Sequence, residues 1–285
     1  MAATGVLLAV LNSGDDGAGF DLGIGGKIAV IEVDGLIVDD EEILDQIRRF
    51  RRDSSVRGFV ISINSPGGVV GPSQSIYREL RRLRDEEEKP VVASIGAVGA
   101  SGGYYVALAA DSIFALPGSL TGSIGVIMEF PDASGLMNKV GVQMQVVESA
   151  EHKDTGSPFR PLSPQDRAIL DSLVQDVYRQ FVEVVVEERR LDAETTRQVT
   201  DGRVLSGRQA LERGLVDRMG NYNDAVAAAG VMAGLGADPD VVKPPAETFR
   251  MLDLLLGRAV TRVLDGIVRP LEHAAVPSLK FVVPW

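Results

Sequence analysis

The chain contains no cysteine. This excludes a disulfide framework, thiol catalysis and thiolate metal sites, and it fits an oxidising or a reducing compartment equally. Histidine is scarce too: His152 and His273 are the only two. Long hydrophobic runs are missing. The apolar stretch from Val6 to Leu11 is far shorter than the ~20 residues a helix needs to cross a bilayer, and no basic residue precedes it. That stretch reads either as the remnant of a longer targeting segment or as the hydrophobic start of an ordinary soluble chain. Positive charge is in deficit, with 29 Lys and Arg against 40 Asp and Glu, a net charge of −11 and a pI near 4.8. Such a surface repels phosphate backbones, so nucleic acid is not an expected partner.

What is present suits a folded α/β protein. The 285 residues are 45% hydrophobic and 24% charged, enough to bury a full core and too apolar for disorder throughout. Glycine is frequent, at 31 residues, and clustered, which points to tight turns and close backbone approaches rather than a helical bundle. Residues 1–26 read as a flexible N-terminal segment, rich in Gly and Asp over 12–26, residues 27–235 as the main domain, and residues 236–285 as a linker, an amphipathic helix and a C-terminal arm.

Within the main domain, apolar strands alternate with amphipathic helices. KIAVIEV from Lys27 and GFVISIN from Gly58 read as buried strands, with a helix over 41–52 between them. Pro72 opens a helix with Ile76, Leu80 and Leu83 on one face, and PVVASIG follows as a strand. Residues 112–116 and 124–130 are expected as further strands. A long helix is expected from about Pro164 to Arg190, burying Ile169, Leu173, Val177 and Phe181. Past Gly230 a linker leads to a helical stripe from Phe249 to Leu271, accompanied by Arg250, Arg258, Arg262 and Arg269. Docking on the body or on a sister subunit is the commoner use of such a stripe, a membrane surface the alternative. The final PSLKFVVPW has the character of an arm that docks on a neighbour near its catalytic groove.

The chemistry concentrates in a few segments. GAVGASGGYYVALAA sets Ser101 among small residues between a buried strand and a helix-compatible run. There a hydroxyl can project from the scaffold while backbone N–H groups point at a developing oxyanion; the plain alternative is a glycine-rich turn capped by serine. In INSPGG, Gly68 could pair with Gly102 as two oxyanion donors if their strands are neighbours. A hydroxyl nucleophile needs a base, and ESAEHKDTGSPFRPLS offers His152 and Lys153 side by side. The residues alone leave both candidates open. GIGGKI at 23–28 does not qualify as a phosphate loop, since Asp21 stands where glycine is needed and Ile28 where Ser or Thr is needed.

INSPGG, GASGGYYVA, SLTGSIGV and HKDTGSPFR, in that order over roughly residues 27 to 230, resemble the signal peptide peptidase A (SppA) family. The resemblance implies an α/β fold of the Clp protease and crotonase group, a spiral of ββα units, here with a C-terminal helical extension. It implies a serine endopeptidase with Ser101 as nucleophile, Lys153 as general base, Ser123 orienting the lysine amine and Gly68 in the oxyanion loop beside Gly102. No metal or other cofactor is implied. The spacing of Ser101 and Lys153 is similar to that of the short, single-unit form of the family. The His152 alternative loses on position, because Clp-type enzymes place their histidine about 25 residues after the serine, where this chain has Val126.

A lysine base sets a physical demand. With a reference pKa of ~10.4, only about one lysine in 2,500 is neutral at pH 7, and bringing that value to about 7 takes roughly 4 to 5 kcal/mol of desolvation. Lys153 is therefore expected to be buried, with Asp154 and Glu151 turned away from it. The family also implies a homo-oligomer, an octamer being the resemblance's suggestion, with catalytic surfaces assembled between subunits. It implies signal peptides or other membrane-derived or unfolded peptides as substrates. Membrane association is expected to be peripheral or through an N-terminal anchor that this chain lacks. Two other classes share the fold: crotonase-type acyl-CoA enzymes, and catalytically silent, membrane-associated scaffolds.

Overall fold

The computed structural model describes residues 25–244 and the backbone of Lys280–Val282. The Val/Ile-rich segments expected to be strands are strands: β1 (Lys27–Ile37), β2 (Val56–Val69) and β3 (Val91–Ala100) run parallel to one another. Between them lie α1 (Glu41–Arg51) and α2 (Val70–Asp85). The charges of α1 suit its dipole, with Glu41 and Glu42 in the first turn and Arg48, Arg49 and Arg51 in the last. After β3 come α3 (Gly102–Ala107), β4 (Ser112–Ala115), β5 (Leu120–Gly122) and α4 (Ser134–Val140). Then follow α5 (Pro164–Arg189), α6 (Ala193–Val199), β6 (Val204–Ser206), α7 (Gly207–Glu212), β7 (Arg218–Met219), α8 (Tyr222–Met232), β8 (Asp240–Val242) and β9 (Lys280–Val282).

One sheet carries the fold, ordered β6-β5-β3-β2-β1-β8, with β4 and β7 on a branch from β3 and β9 on β2. Both faces of its centre are covered, which is why these strands read as continuous apolar runs. Alternate residues serve opposite layers. Ile31, Ile61 and Ala93 pack with Ile47 of α1, Leu80 of α2 and Phe181 of α5. Ile28, Val30, Val60 and Val92 face Ala225, Val226 and Ala229 of α8.

Two strands give way partway along and leave room for others. β3 pairs with β4 through Val92–Ile95, then with β5 through Val98–Ala100. β2 pairs with β3 as far as Ser65–Gly99, and beyond that point Gly67–Val69 accept β9 in antiparallel register. The strand expected at 124–130 is displaced. The pairing segment is Leu120–Gly122, fixed where Thr121 Oγ1 donates to Gly99 O at 2.7 Å, and 124–130 is irregular apart from a single bridge at Ile127.

The long helix α5 forms as expected, capped by a reciprocal Ser163–Asp166 box with Pro164 behind it. Its apolar face is only partly used. Val177, Phe181 and Val185 are buried, whereas Ile169 and Leu173 are 38% and 43% exposed, because nothing among the described residues covers the apolar face of the first half of the helix. The second half is locked by the Tyr77–Tyr105–Phe181 ring cluster and by Glu188, which accepts from Tyr77 Oη at 2.6 Å and pairs with Arg84 at 3.0 Å. Burial and the neighbouring Glu188 push the Tyr77 hydroxyl pKa upward. The stripe Phe249–Leu271 and the N-terminal approach lie outside the described residues. Among the described residues no helix is long and apolar enough to cross a membrane.

Candidate active site

Ser101 stands at the junction of β3 and α3 with φ +52° and ψ −116°, a backbone region that costs an L-residue about 1 to 3 kcal/mol. Its neighbours impose the turn: Ser101 N–H donates to Gly122 O at 2.8 Å, and Ser101 O accepts from Tyr105 N–H at 2.8 Å. The side chain is wholly buried, and no group among the described residues hydrogen-bonds its Oγ. An orphaned buried hydroxyl costs about 1 to 3 kcal/mol. Backbone strain and an unpaired polar atom thus coincide on one residue, as they do where a side chain is held ready for something outside the fold.

The two glycine loops meet beside it. A Cβ on Gly68 would fall 1.9 Å from Ile37 O, and one on Gly102 would fall 2.6 Å from Ser73 Oγ and 3.1 Å from the Gly68 backbone N. A Cβ on Gly103 would lie 2.6 Å from Ser65 O. Only glycines allow this approach, and it sets the main chain of Gly68 against that of Gly102 next to Ser101. Two serines missed in the sequence shape the loop. Ser65 Oγ accepts from Gly67 N–H at 3.1 Å, and Ser73 Oγ donates to Val69 O at 2.9 Å. Ser65 lies inside INSPGG, so the motif itself carried that signal.

Ser123 is brought to the same place. It follows Gly122, whose carbonyl holds the Ser101 turn, and it is buried with φ +50° while its N–H donates to Arg203 O at 2.8 Å. Lys153 is not. Every residue from Gly141 to Lys153 is exposed, and the Lys153 amine has neither hydrogen bond nor ion pair among the described residues. The expectation of a buried lysine is therefore corrected for the single chain: its segment is held by short-range backbone bonds such as Lys153 N–H to Ala150 O at 3.1 Å, and among the described residues nothing buries it. His152 is exposed alongside. The flanking carboxylates are engaged elsewhere, Glu151 with Gln165 at 3.3 Å and Asp154 with Arg160 at 2.6 and 2.7 Å. Arg160 also reaches Asp166, a clamp that the Ser163-x-x-Asp166 capping spacing hinted at only in part.

The edge of β2 at Gly67–Val69 is taken by the chain's own β9, with Phe281 in register opposite Gly68. Cavities of about 500 Å³ beside Phe114, Arg218 and Val231 and of about 350 Å³ beside Glu32, Ile37 and Pro244 include none of the predicted site residues in their walls. Among the described residues no group of His, Asp and Glu side chains is gathered as metal ligands.

Residues 83–236 match the model of peptidase family S49. A Synechocystis sp. protein provisionally named a protease is 42% identical over 231 residues, covering 79% of this chain and 82% of its own length. An Enterococcus faecium protein provisionally named signal peptide peptidase SppA is 34% identical over 213 residues, 70% of this chain and 62% of that one. Protease 4 of Haemophilus influenzae is 35% identical over 232 residues, which amount to 78% of this chain and 37% of the longer protein. Coverage of this extent, over the segment that holds Ser101, Ser123 and Lys153, means that the chain belongs to peptidase family S49, the family of the SppA peptidases.

Proposed function

We propose that this peptidase is a serine endopeptidase working through a Ser101/Lys153 dyad, with the lysine delivered to Ser101 by a second copy of the chain. The observation that carries the reading is the buried, strained and unpartnered Ser101 Oγ, paired with an exposed Lys153 that lacks any partner among the described residues. Each lacks what the other supplies. The surface around Lys153 supports a copy-to-copy junction: Val140, Met144, Val146 and Val147 are at least half exposed, and the uncovered part of α5 adds Ile169 and Leu173. Apolar exposure on that scale marks a protein interface. Burial at such a junction withdraws an amine from water, the condition under which a lysine gives up its proton near neutral pH.

In this mechanism Ser101 Oγ attacks the scissile carbonyl as its proton passes to the Lys153 amine, while the N–H groups of Gly68 and Gly102 receive the oxyanion. The protonated amine then gives that proton to the leaving nitrogen. A water deprotonated by Lys153 opens the acyl-enzyme, and Ser123 holds the amine in line. An extended substrate lies antiparallel to Gly67–Val69, a placement supported by β9, which adds to that edge in this register. Signal peptides and other membrane-derived or unfolded peptides suit such an edge, since strand addition reads main chain before side chains. Membrane association follows from that substrate class.

The test is complementation. Ser101→Ala and Lys153→Ala variants are each inactive on a fluorogenic peptide, and His152→Ala is active. Co-assembly of the two inactive variants restores about a quarter of wild-type activity if serine and lysine come from different copies, and none if both come from one. Activity retained by Lys153→Ala ends the dyad assignment, and turnover of an acyl-CoA thioester in place of peptides would move the protein to the crotonase type.

A further inference from the structure

We propose that Arg160 is a positioning residue for Lys153, one that ties the lysine's turn to the N-terminus of α5 and draws the adjacent Asp154 carboxylate away from the lysine amine. This rests on the reading of Lys153 as base. Every residue from Gly141 to Lys153 is exposed, and besides the arginine the lysine-bearing turn is held by Gln165 on Glu151, by Thr155 on Asp166 and by turn bonds such as Ser157 N–H to Asp154 O at 2.9 Å. What anchors it is a chain of charges. Arg160 grips Asp154 with two parallel hydrogen bonds, Nε to Oδ2 at 2.7 Å and Nη2 to Oδ1 at 2.6 Å, and its Nη1 donates to Asp166 Oδ2. Bidentate guanidinium–carboxylate pairing fixes both distance and plane.

Asp166 is the fixed end. It is buried at the start of α5, accepts from Ser163 N–H at 3.0 Å and from Thr155 Oγ1 at 2.9 Å, and so joins the helix cap to the residue two beyond Lys153. Arg160 and these donors hold the carboxyl of Asp166 well below the usual carboxylate range, and Arg160 lowers that of Asp154 as well. Gly156, at φ +82°, completes the turn where a Cβ would strike Phe130 at 2.3 Å.

The electrostatic consequence matters more than the mechanical one. A free carboxylate next in sequence to a lysine favours the ammonium form, and an opposite charge within ~4–6 Å commonly shifts such an equilibrium by 1 to 3 pH units. The charged or titratable groups next to Lys153 in sequence are Glu151, His152 and Asp154, and the clamp that holds its turn adds Arg160 and Asp166. With Glu151 held by Gln165 and Asp166 already in the clamp, Asp154 is the carboxylate that Arg160 alone controls.

The experiment measures kcat/KM for a fluorogenic peptide against pH in the assembled protein for four variants. Arg160→Gln moves the acidic limb to higher pH by about one unit, roughly a tenfold loss at neutral pH. Adding Asp154→Asn to Arg160→Gln returns the limb to its original place. Arg160→Lys, which keeps the charge but not the fork, lowers kcat with a smaller movement of the limb and serves if Arg160→Gln does not fold. Asp154→Asn alone leaves the limb where it was. A limb that stays put in Arg160→Gln while Tm falls makes Arg160 merely structural and overturns the proposal, as does a limb that Asp154→Asn fails to restore. Failure of the dyad itself would show separately, as activity in Lys153→Ala.

Discussion

Gly68→Ala is the sharpest perturbation of the site, because the atom it adds meets backbone. The new Cβ would stand 1.9 Å from Ile37 O, 2.6 Å from Ile37 C and 2.7 Å from Ile37 N, and no side chain can rotate to relieve it. Ordinary contact begins at 3.4 Å, so the end of β2 must retreat from β1 by about 1.5 Å. The Gly68 N–H travels with it. An oxyanion donor works at about 2.7–3.1 Å, and losing one costs on the order of 10²–10³ in kcat, about 3 to 4 kcal/mol of transition-state stabilisation. The assay is steady-state hydrolysis of a fluorogenic peptide with Tm measured in parallel; kcat falls by that factor in protein that is still folded. Gly71→Ala is the control, since its Cβ meets nothing within 4 Å, and in α2 it is neutral or stabilising by up to about 1 kcal/mol with kcat unchanged. Folded Gly68→Ala with wild-type kcat would show that the Gly68 loop contributes no donor.

Two further outcomes follow from the same geometry. Ending the chain at Val276 removes β9 from the Gly67–Val69 edge. At about 1 kcal/mol net for each ladder hydrogen bond, a three-residue strand competes measurably with substrate, so KM for peptides falls several-fold in the truncated protein; an unchanged KM and oligomer size would leave the strand no part in the groove. Asp166 gives a pH signature in stability. Its carboxyl is held below the unfolded-state value near 4, so its contribution is present above that value and is lost as pH falls through the lower folded one. The stability difference between wild type and Asp166→Asn in urea titrations is therefore full at pH 7 and shrinks below about pH 4. A difference that is constant with pH would mean that Asp166 acts by packing alone.

The parts of this protein that could be read from its sequence are those governed by local chemistry. Ile28–Ile31 and Phe59–Ile61 are apolar without interruption because both sheet faces are covered, and that pattern needs no knowledge of partners. The glycines of INSPGG and ASGGYY sit where backbones touch, which their clustering announced. Misreadings arise where a distant contact decides. The run Ile124–Met128 has strand composition, yet the strand is at Leu120–Gly122, because Thr121 finds Gly99 O and Gly122 finds β6. Ile169 and Leu173 fall on the periodic face of α5 but lie past the edge of the body. For Lys153, spacing within one chain cannot report whether a second chain lies over it.

The proposed site has two parts that the fold holds in unlike ways. Ser101, Gly68, Gly102 and Ser123 are embedded where β2, β3 and β5 converge, the two serines held by backbone hydrogen bonds and the two glycines packed where a Cβ would not fit. Lys153 rides on an exposed segment whose firm tether is the Arg160–Asp154–Asp166 clamp. An arrangement of this kind makes hydrolysis conditional. On the proposed dyad, Ser101 and the two glycine donors are preformed within each chain, while Lys153 becomes competent as a base only where a second surface removes it from water. Free chains would then be unable to cut indiscriminately, and proteolysis would be confined to the assembled particle. In that light the quarter-activity expected of mixed Ser101→Ala and Lys153→Ala particles measures more than residue roles. It measures whether assembly is itself the step that turns the peptidase on.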